Sequence, residues 1–304
     1  MISTSDIIKK RILVIGSNGM LGQRLVDYYN RYTIELFCAS AEEESFIKDV
    51  NYRQIDISNK KDIKKLVKDF YPDVIINAAA YTNVDGCETE KELAWKINVN
   101  GPEYIAYYAN SIDAHFINLS SDYVFNGKEG PYSEKDKVDP ISYYGKTKLA
   151  GENVLFKSGC KYTIIRTNVL YGPVKYGRPD FVKWVITSLK AGNEIRIVND
   201  QINNPTFIDD LVSGISKIVD TKKTGIFHLG GKEFLNRYEF TIKIADYFEL
   251  DKSLIKKIKT EDLKQPAPRP LKSGLVTLKA ETELNYRPHD ILDTFKIIKK
   301  ELNL

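Results

Sequence analysis

The strongest constraint on the fold is an alternation of apolar and amphipathic segments over the first 167 residues. The runs 12–15 (ILVI) and 74–76 (VII) carry no polar alternation, which predicts strands buried on both faces. Between them, segment 61–70 places its apolar side chains on one helical face and its lysines on the other. Repeated strand–helix units predict an α/β fold with a doubly wound parallel sheet.

The alternation of strands and helices becomes less regular after residue 167. Segments 181–191 and 237–248 have helical patterns, and 225–229 reads as one more strand. The proline-rich stretch 265–270 (QPAPRP) excludes regular structure. We therefore expect a larger domain and a smaller, partly interleaved C-terminal one. The expected boundaries are 1–167 plus 207–230 for the larger domain, and 168–206 plus 231–304 for the smaller.

Composition narrows the class of protein. The 304 residues include 45 basic and 41 acidic side chains, a balance of +4 that predicts no nucleic-acid partner. No apolar run reaches the ~18 residues of a membrane span, which predicts no membrane partner. Cys38, Cys87 and Cys160 lack CxxC spacing, and the three histidines lack ligand spacing, so no metal site is expected. A reducing cytoplasm is the expected location.

A glycine-rich turn joins the first strand to the first helix. It comprises Gly16, Ser17, Asn18, Gly19, Met20, Leu21 and Gly22. Gly16 would permit the tight turn, Gly19 the close approach of a pyrophosphate, and Gly22 close packing of the helix. The helix N-terminus would then face the phosphates of a dinucleotide. A glycine-rich turn without a ligand is the alternative interpretation.

The choice between nicotinamide cofactors depends on the end of the second strand. An acidic residue there would bind the ribose hydroxyls of NAD. The strand ends at Ser40 and Glu42 lies beyond it, so NADPH is preferred, with NADH as the alternative. Asp56, with Ile57 beside it, is a candidate for the adenine contact. A solvated loop acid or a helix cap is an equally good interpretation of Asp56.

Three side chains have the chemistry of a proton-transfer site. Tyr144 and Lys148 are four residues apart, on one face of a predicted helix. The ammonium would lower the tyrosine pKa and make the phenol a usable acid and base. Ser121 follows a predicted strand, at the edge where α/β sheets bind ligands. A surface Tyr–Lys pair without a catalytic role is the simpler alternative.

The chain resembles the extended short-chain dehydrogenase/reductase family, and most closely the dTDP-4-dehydrorhamnose reductases. Six blocks carry the resemblance: 77–88 (NAAAYTNVDGCE), 120–125 (SSDYVF), 131–134 (PYSE), 144–152 (YGKTKLAGE), 204–211 (NPTFIDDL) and 269–270 (RP). The resemblance implies a Rossmann-type cofactor domain, a smaller sugar-nucleotide domain and a homodimer. It also implies hydride transfer to the 4-keto carbon of a dTDP-6-deoxyhexulose, as in the conversion of dTDP-4-dehydrorhamnose to dTDP-rhamnose.

The resemblance assigns roles to individual residues. The catalytic residues would be Ser121, Tyr144 and Lys148. The cofactor residues are Gly16, Asn18, Gly19, Met20, Leu21, Gly22, Asp56, Ile57, Ala78, Ala79, Ala80, Tyr81, Asn98, Tyr144 and Lys148. The substrate residues are Val84, Ser121, Asp122, Tyr123, Tyr144, Asn168 and Arg269. Asn98 would support Lys148 through water.

Departures from the family pattern leave two other functions open. Ser121 replaces a threonine, Val169 a tryptophan beside the sugar, and Lys272 an asparagine. The chain also resembles the regulatory subunit of methionine adenosyltransferase, through 166–172 (RTNVLYG) and the helix 237–248. That similarity implies a non-catalytic NADP-binding module. A sugar-nucleotide epimerase or dehydratase is the third possibility, although Tyr123 stands where dehydratases carry a glutamate.

Overall fold

A computed structural model describes residues 9–303. The strands are β1 (Arg11–Ile15), β2 (Glu35–Ser40), β3 (Asn51–Gln54), β4 (Val74–Asn77), β5 (His115–Ser121), β6 (Lys161–Thr167), β7 (Leu170–Tyr171), β8 (Ile195–Val198), β9 (Ile202–Asn203), β10 (Thr206–Phe207), β11 (Gly225–His228), β12 (Leu235–Asn236) and β13 (Ile255–Ile258). The helices are α1 (Met20–Tyr29), α2 (Lys60–Phe70), α3 (Gly86–Thr89), α4 (Lys91–Trp95), α5 (Gly101–Ser111), α6 (Tyr143–Lys157), α7 (Phe181–Lys190), α8 (Ile208–Thr221), α9 (Arg237–Tyr247), α10 (Leu278–Leu284) and α11 (Ile291–Leu302).

Seven parallel strands form the main sheet, in the order β11-β6-β5-β4-β1-β2-β3. The strand order reverses between β1 and β4, which is the position where open α/β sheets bind ligands. The predicted doubly wound α/β fold is therefore confirmed. Its ligand edge lies at the carboxyl ends of β1, β4, β5 and β6.

Separate apolar cores cover the two faces of this sheet. One contains side chains of α1 and α8, and the other side chains of α2 and α5. The central strand shows the reason, because Ile12 and Val14 enter the first core while Leu13 and Ile15 enter the second. A strand buried on both faces needs apolar side chains at consecutive positions, as the sequence has them.

Two elements differ from the sequence prediction. The sequence pattern over 93–109 predicts one continuous helix, but a π-helical turn at Lys96–Asn100 separates α4 from α5. This turn brings Asn98 to the loop after β4, where it pairs with the backbone of Tyr81. The edge strand β3 was not predicted, because its residues (NYRQ) are mostly polar and its pairing with β2 is a tertiary contact.

The remaining described residues build a smaller unit around a third core. Phe240 of α9 lies at its centre and stacks on Phe181 and Phe295. The segment after the proline-rich stretch returns to the main sheet region, where Leu275 bridges to Tyr132. The domain boundaries expected from the sequence stay a prediction. Between residues 9 and 303, no helix is both long and apolar enough to cross a membrane.

A buried ion pair fastens helix α6 to the sheet. The carboxylate of Glu152 on α6 accepts hydrogen bonds from Arg166 of β6 at 2.9 and 2.6 Å. It also accepts one from the hydroxyl of Ser120 on β5, at 2.5 Å. Glu152 is 0% and Arg166 3% exposed, so water cannot replace either partner. The pair therefore fixes the helix against two adjacent strands.

We expect Arg166→Met to lower the free energy of unfolding by about 3–5 kcal/mol, because the Glu152 carboxylate would remain buried without its bidentate partner. Lys161→Met is the matched control, since Lys161 pairs with Asp113 at 2.6 Å on the surface. Its loss should change the free energy of unfolding by about 1 kcal/mol or less. Urea denaturation of both variants measures the difference. Equal effects would contradict the proposed role of the buried pair.

Candidate active site

The carboxyl ends of the central strands open into one cleft of about 930 Å³. Most predicted site residues line it: Gly16, Gly19, Met20, Leu21, Asp56, Ile57, Ala78, Ala79, Ala80, Val84, Ser121, Asp122, Tyr123, Tyr144, Lys148 and Asn168. Five lie behind this lining: Asn18, Gly22, Tyr81, Asn98 and Arg269. Residues more than a hundred positions apart in the chain therefore share one site.

The glycine turn has the geometry of a phosphate cradle. Gly16 adopts φ +81°, and a Cβ there would lie 2.6 Å from the amide nitrogen of Ala79. A Cβ on Gly22 would lie 2.0 Å from the carbonyl oxygen of Gly16. Helix α1 then begins after Gly19 without a side-chain cap. Its first N–H groups therefore face the cleft, where a pyrophosphate fits.

The side chain of Asn18 supports the cradle from behind. Its amide nitrogen donates to Glu42 Oε2 at 3.1 Å and to the carbonyl of Glu44 at 2.9 Å, and its oxygen accepts from the Phe46 amide. These contacts bring Glu42 to the cleft, at the tip of β2. In the sequence, Glu42 lies beyond the end of the strand. The sequence pattern does not show that the loop after Ser40 brings it to the cleft.

Asp56 lines the cleft beside Ile57 and accepts hydrogen bonds from the backbone and hydroxyl of Ser58, both at 2.8 Å. The cap of α2 is Asn59, whose side chain accepts from the Lys61 amide. Asp56 is therefore not the helix cap. The adenine contact stays a prediction.

Ser121 and Tyr144 meet at the centre of the cleft. Ser121 ends β5, and Tyr144 lies in the first turn of α6, which is capped by Ser142. The Ser121 hydroxyl donates to Asp122 Oδ1 at 2.9 Å and accepts from the Tyr123 amide at 3.2 Å. The ring of Tyr123 packs edge-to-face on Tyr144, with 5.4 Å between centroids. The phenol is thus held in place next to a hydroxyl.

The predicted lowering of the Tyr144 pKa by Lys148 is wrong for this structure. Burial raises the pKa of Tyr144 well above its usual value, and the charge of Asp122 raises it further. The contact with Ser121 acts in the opposite direction but is weaker. Desolvation dominates because the phenolate would lose its water in the closed site. Tyr144 is therefore a protonated phenol at neutral pH, suited to donate a proton.

The ammonium of Lys148 lies below the tyrosine, on the end of β5. Lys148 Nζ donates to the carbonyl of Leu119 at 2.7 Å. Burial lowers the pKa of Lys148 to about 8, while the charge of Glu152 opposes this shift. The lysine therefore changes its charge close to neutral pH, and it is held only one turn from the buried ion pair.

Asn98 organises the loop behind the lysine. Its amide nitrogen donates to the Tyr81 carbonyl at 3.1 Å and to Thr147 Oγ1 at 3.0 Å. Its oxygen accepts from the Tyr81 amide at 2.8 Å. Asn98 thus ties the 78–82 loop to α6, the helix of Tyr144 and Lys148. Its predicted support of Lys148 through water stays a prediction.

The opposite wall of the cleft carries polar groups with buried contacts. Asp122 accepts from Ser273 Oγ at 2.6 Å, so the C-terminal segment closes on the site. Burial raises the pKa of Asp122, although hydrogen bonds from Ser273 and Ser121 oppose the shift. Asn168 donates to the Ser273 carbonyl at 3.1 Å, and its buried oxygen has no partner within residues 9–303. That oxygen lies beside Gly230 and is not exposed to the cleft.

Arg269 lies outside the lining and pairs with Asp85, Nη2 to Oδ2, at 2.8 Å. Asp85 also accepts from the Ala267 amide at 3.1 Å, so two bonds connect the proline-rich segment to the loop of Val84. The predicted contact of Arg269 with substrate stays a prediction.

Sequence reasoning missed four residues at or beside the site: Glu42, Glu152, Arg237 and Ser273. A signal existed for Glu152, which follows Lys148 by four residues and so shares its helical face. The other signal was Arg166, a charge inside an apolar strand that needs a buried partner. Glu42 and Ser273 reach the cleft from loops and Arg237 from the start of α9, and no spacing in the sequence indicates this.

The fold and the Ser–Tyr–Lys site together define the class as an extended short-chain dehydrogenase/reductase. The profile of the family described as RmlD substrate binding domain matches residues 10–300. The chain belongs to this family, as its sequence resemblance to the dTDP-4-dehydrorhamnose reductases predicted.

Named relatives share nearly the whole chain. The dTDP-4-dehydrorhamnose reductase of Aggregatibacter actinomycetemcomitans is 34% identical over 301 residues, covering 95% of this chain and 98% of the relative. The dTDP-4-dehydrorhamnose reductase of Bacillus anthracis, solved in complex with NADP, superposes with a TM-score of 0.86 at 31% identity, covering 97% of this chain and 100% of that one. The methionine adenosyltransferase 2 subunit beta of Mus musculus is 30% identical, covering 91% of this chain and 83% of the relative.

The titration of Lys148 tests the site electrostatics directly. We expect ¹³C NMR of lysine-labelled protein to show a signal with a midpoint near pH 8, which Lys148→Met removes. An unfolded chain holds the lysine proton up to a pH of about 10.4. Between these values the unfolded state binds more protons, so Lys148 makes the free energy of unfolding rise with pH.

Lys157→Met, an exposed position on the same helix, is the control and should leave that signal unchanged. A Lys148 midpoint at the ordinary lysine value would contradict the burial of its ammonium in the closed site.

Proposed function

We propose that this protein reduces the 4-keto group of a dTDP-6-deoxyhexulose with NADPH, as in the formation of dTDP-rhamnose from dTDP-4-dehydrorhamnose. The observation that carries the proposal is the joint position of Ser121, Tyr144 and Lys148 in one cleft with the glycine turn. The names of the relatives that match the full length of the chain supply the substrate class.

The backbone that lines the cleft has a shape that fits a dinucleotide. The cradle at Gly16 has no room for a Cβ, and the uncapped start of α1 offers N–H groups to a pyrophosphate. Ala78 and Ala79 continue the same wall after β4. Bound NADPH supplies the hydride for the keto carbon.

The residues of the chain handle the proton and the oxygen. Tyr144, a protonated phenol in the closed site, donates its proton to the developing alkoxide. The Ser121 hydroxyl rotates from Asp122 to the same oxygen and stabilises its charge. Lys148, beneath them, provides a positive charge that the buried site does not screen.

We further propose that residues 1–167 plus 207–230 hold the cofactor and that residues 168–206 plus 231–304 hold the sugar nucleotide. In this division Asn168 lies on the substrate side of the cleft. Val169 also lines the cleft, where the smaller side chain leaves space beside the sugar.

We also propose that the protein acts in the cytoplasm as a homodimer.

Tyr144→Phe tests the catalytic assignment. We expect kcat for the keto sugar to fall by about 10²–10⁴-fold, because the proton donor is lost, while NADPH affinity is retained. Tyr143→Phe removes the neighbouring phenol, whose ring lies under Lys91, and should leave kcat unchanged. The measurement is the loss of NADPH absorbance with freshly generated dTDP-4-keto sugar.

A wild-type rate no higher than that of Tyr144→Phe would contradict the reductase function. The similarity to methionine adenosyltransferase 2 subunit beta favours a regulatory module as the second candidate. In that case an inactive wild-type protein would still bind NADPH and would co-purify with a methionine adenosyltransferase.

Glu42 tests the choice of cofactor. Its carboxylate faces the cleft at the tip of β2, where the 2′-phosphate of NADPH would approach it. Glu42→Gln should tighten NADPH binding about five-fold, corresponding to about 1 kcal/mol for two charges near water, and should not tighten NADH binding. Glu43→Gln, outside the lining, is the control for both titrations. An unchanged ratio of the two affinities would show that the carboxylate does not contact the ribose.

A further inference from the structure

Arg237 is a cation in the cleft without a partner from the chain. It is the first residue of α9, and its side chain reaches the cleft lining. The guanidinium lies 5.4 Å above the ring of Phe181. Within residues 9–303 it forms no ion pair and donates no hydrogen bond, whereas Arg166 and Arg269 each have a carboxylate. Its donors are therefore available to a ligand.

The groups around Arg237 do not neutralise it. Asp122 is the nearby carboxylate, but its oxygens accept from Ser121 and Ser273. The other neighbours are Tyr123, a neutral phenol at neutral pH, and the cation Arg269, and neither neutralises the guanidinium. Burial lowers the pKa of Arg237, because the guanidinium lies among other side chains and away from water. A desolvated guanidinium without a partner is unfavourable, and a bound anion would offset this cost.

The cleft has two lining cations among its described residues, and they lie in different places. Lys148 donates to the Leu119 carbonyl beneath the catalytic tyrosine. Arg237 lies on the wall of the smaller unit, directly after β12, which pairs with the β9 strand of Asn203. The pyrophosphate of the dinucleotide belongs to the glycine turn. The sugar nucleotide carries a second diphosphate. Arg237 is the cation of the lining that remains available to bind it.

We infer that Arg237 binds the diphosphate of the sugar-nucleotide substrate and so positions the sugar at Tyr144; this inference rests on the proposed function. A guanidinium presents paired donors that match two phosphate oxygens, which a lysine cannot do. The stacking on Phe181 fixes the plane of the fork before the ligand arrives. Arg237 is thus a positioning residue and not a proton donor.

Calorimetric titration with dTDP, which lacks the sugar, tests this assignment. Arg237→Met should weaken dTDP binding by about 10- to 100-fold, the loss expected for hydrogen bonds to a charged group. The dTDP affinity of Arg237→Lys should lie between those of the wild type and Arg237→Met, because the charge remains and the paired guanidinium donors are lost. Arg196→Met, an exposed arginine on β8, is the matched control and should bind dTDP normally. NADPH binding should be unchanged in all variants, which also reports that they are folded.

The possible failures are distinguishable. If Arg237→Met binds dTDP like the wild type, the diphosphate assignment is overturned. If in addition its KM for the complete keto sugar rises, Arg237 donates to a hydroxyl or keto oxygen of the sugar and not to the diphosphate. A wild-type protein that binds NADPH but no dTDP would overturn both this inference and the proposed substrate class.

Discussion

The buried contact between Glu152 and Arg166 is the interaction on which the site depends. Glu152 lies on the helix that also carries Tyr144 and Lys148, and Arg166 lies on β6. Because Ser120 donates to the same carboxylate, the strand that ends in Ser121 is held as well. One carboxylate without access to water thus fixes the distance between a helix and two strand ends. Ser121 follows Ser120 directly, and Lys148 lies one helical turn before Glu152.

Burial also sets the protonation states of the site. The enclosure that raises the pKa of Tyr144 lowers that of Lys148, because both charged forms lose water. A phenol that keeps its proton serves a reduction, in which the enzyme must donate a proton to an alkoxide. The relation to methionine adenosyltransferase 2 subunit beta shows that similar sequences also occur in a protein that is not named a reductase. Function therefore has to be argued from the cleft and not from the fold.

Much of this architecture could be predicted from periodicity and turn chemistry. The run 12–15 specifies a central strand since each of its side chains meets one of two cores. The glycine turn was predictable because the fold requires glycine at Gly16 and Gly22, where a Cβ has no room. The π-helical turn and the edge strand β3 were not predictable, because a contact of Asn98 and a pairing with β2 determine them.

The sequence by itself determined the doubly wound sheet and the glycine turn, and it predicted the trio Ser121, Tyr144 and Lys148, because each rests on local spacing that neighbouring residues impose. Only the tertiary structure decided the electrostatics of the site. Whether Tyr144 is a phenol, whether Arg237 has a partner and whether Glu42 reaches the cleft depend on burial and on charges contributed by distant segments. Desolvation is a property of the folded surroundings, and no spacing along the chain encodes it.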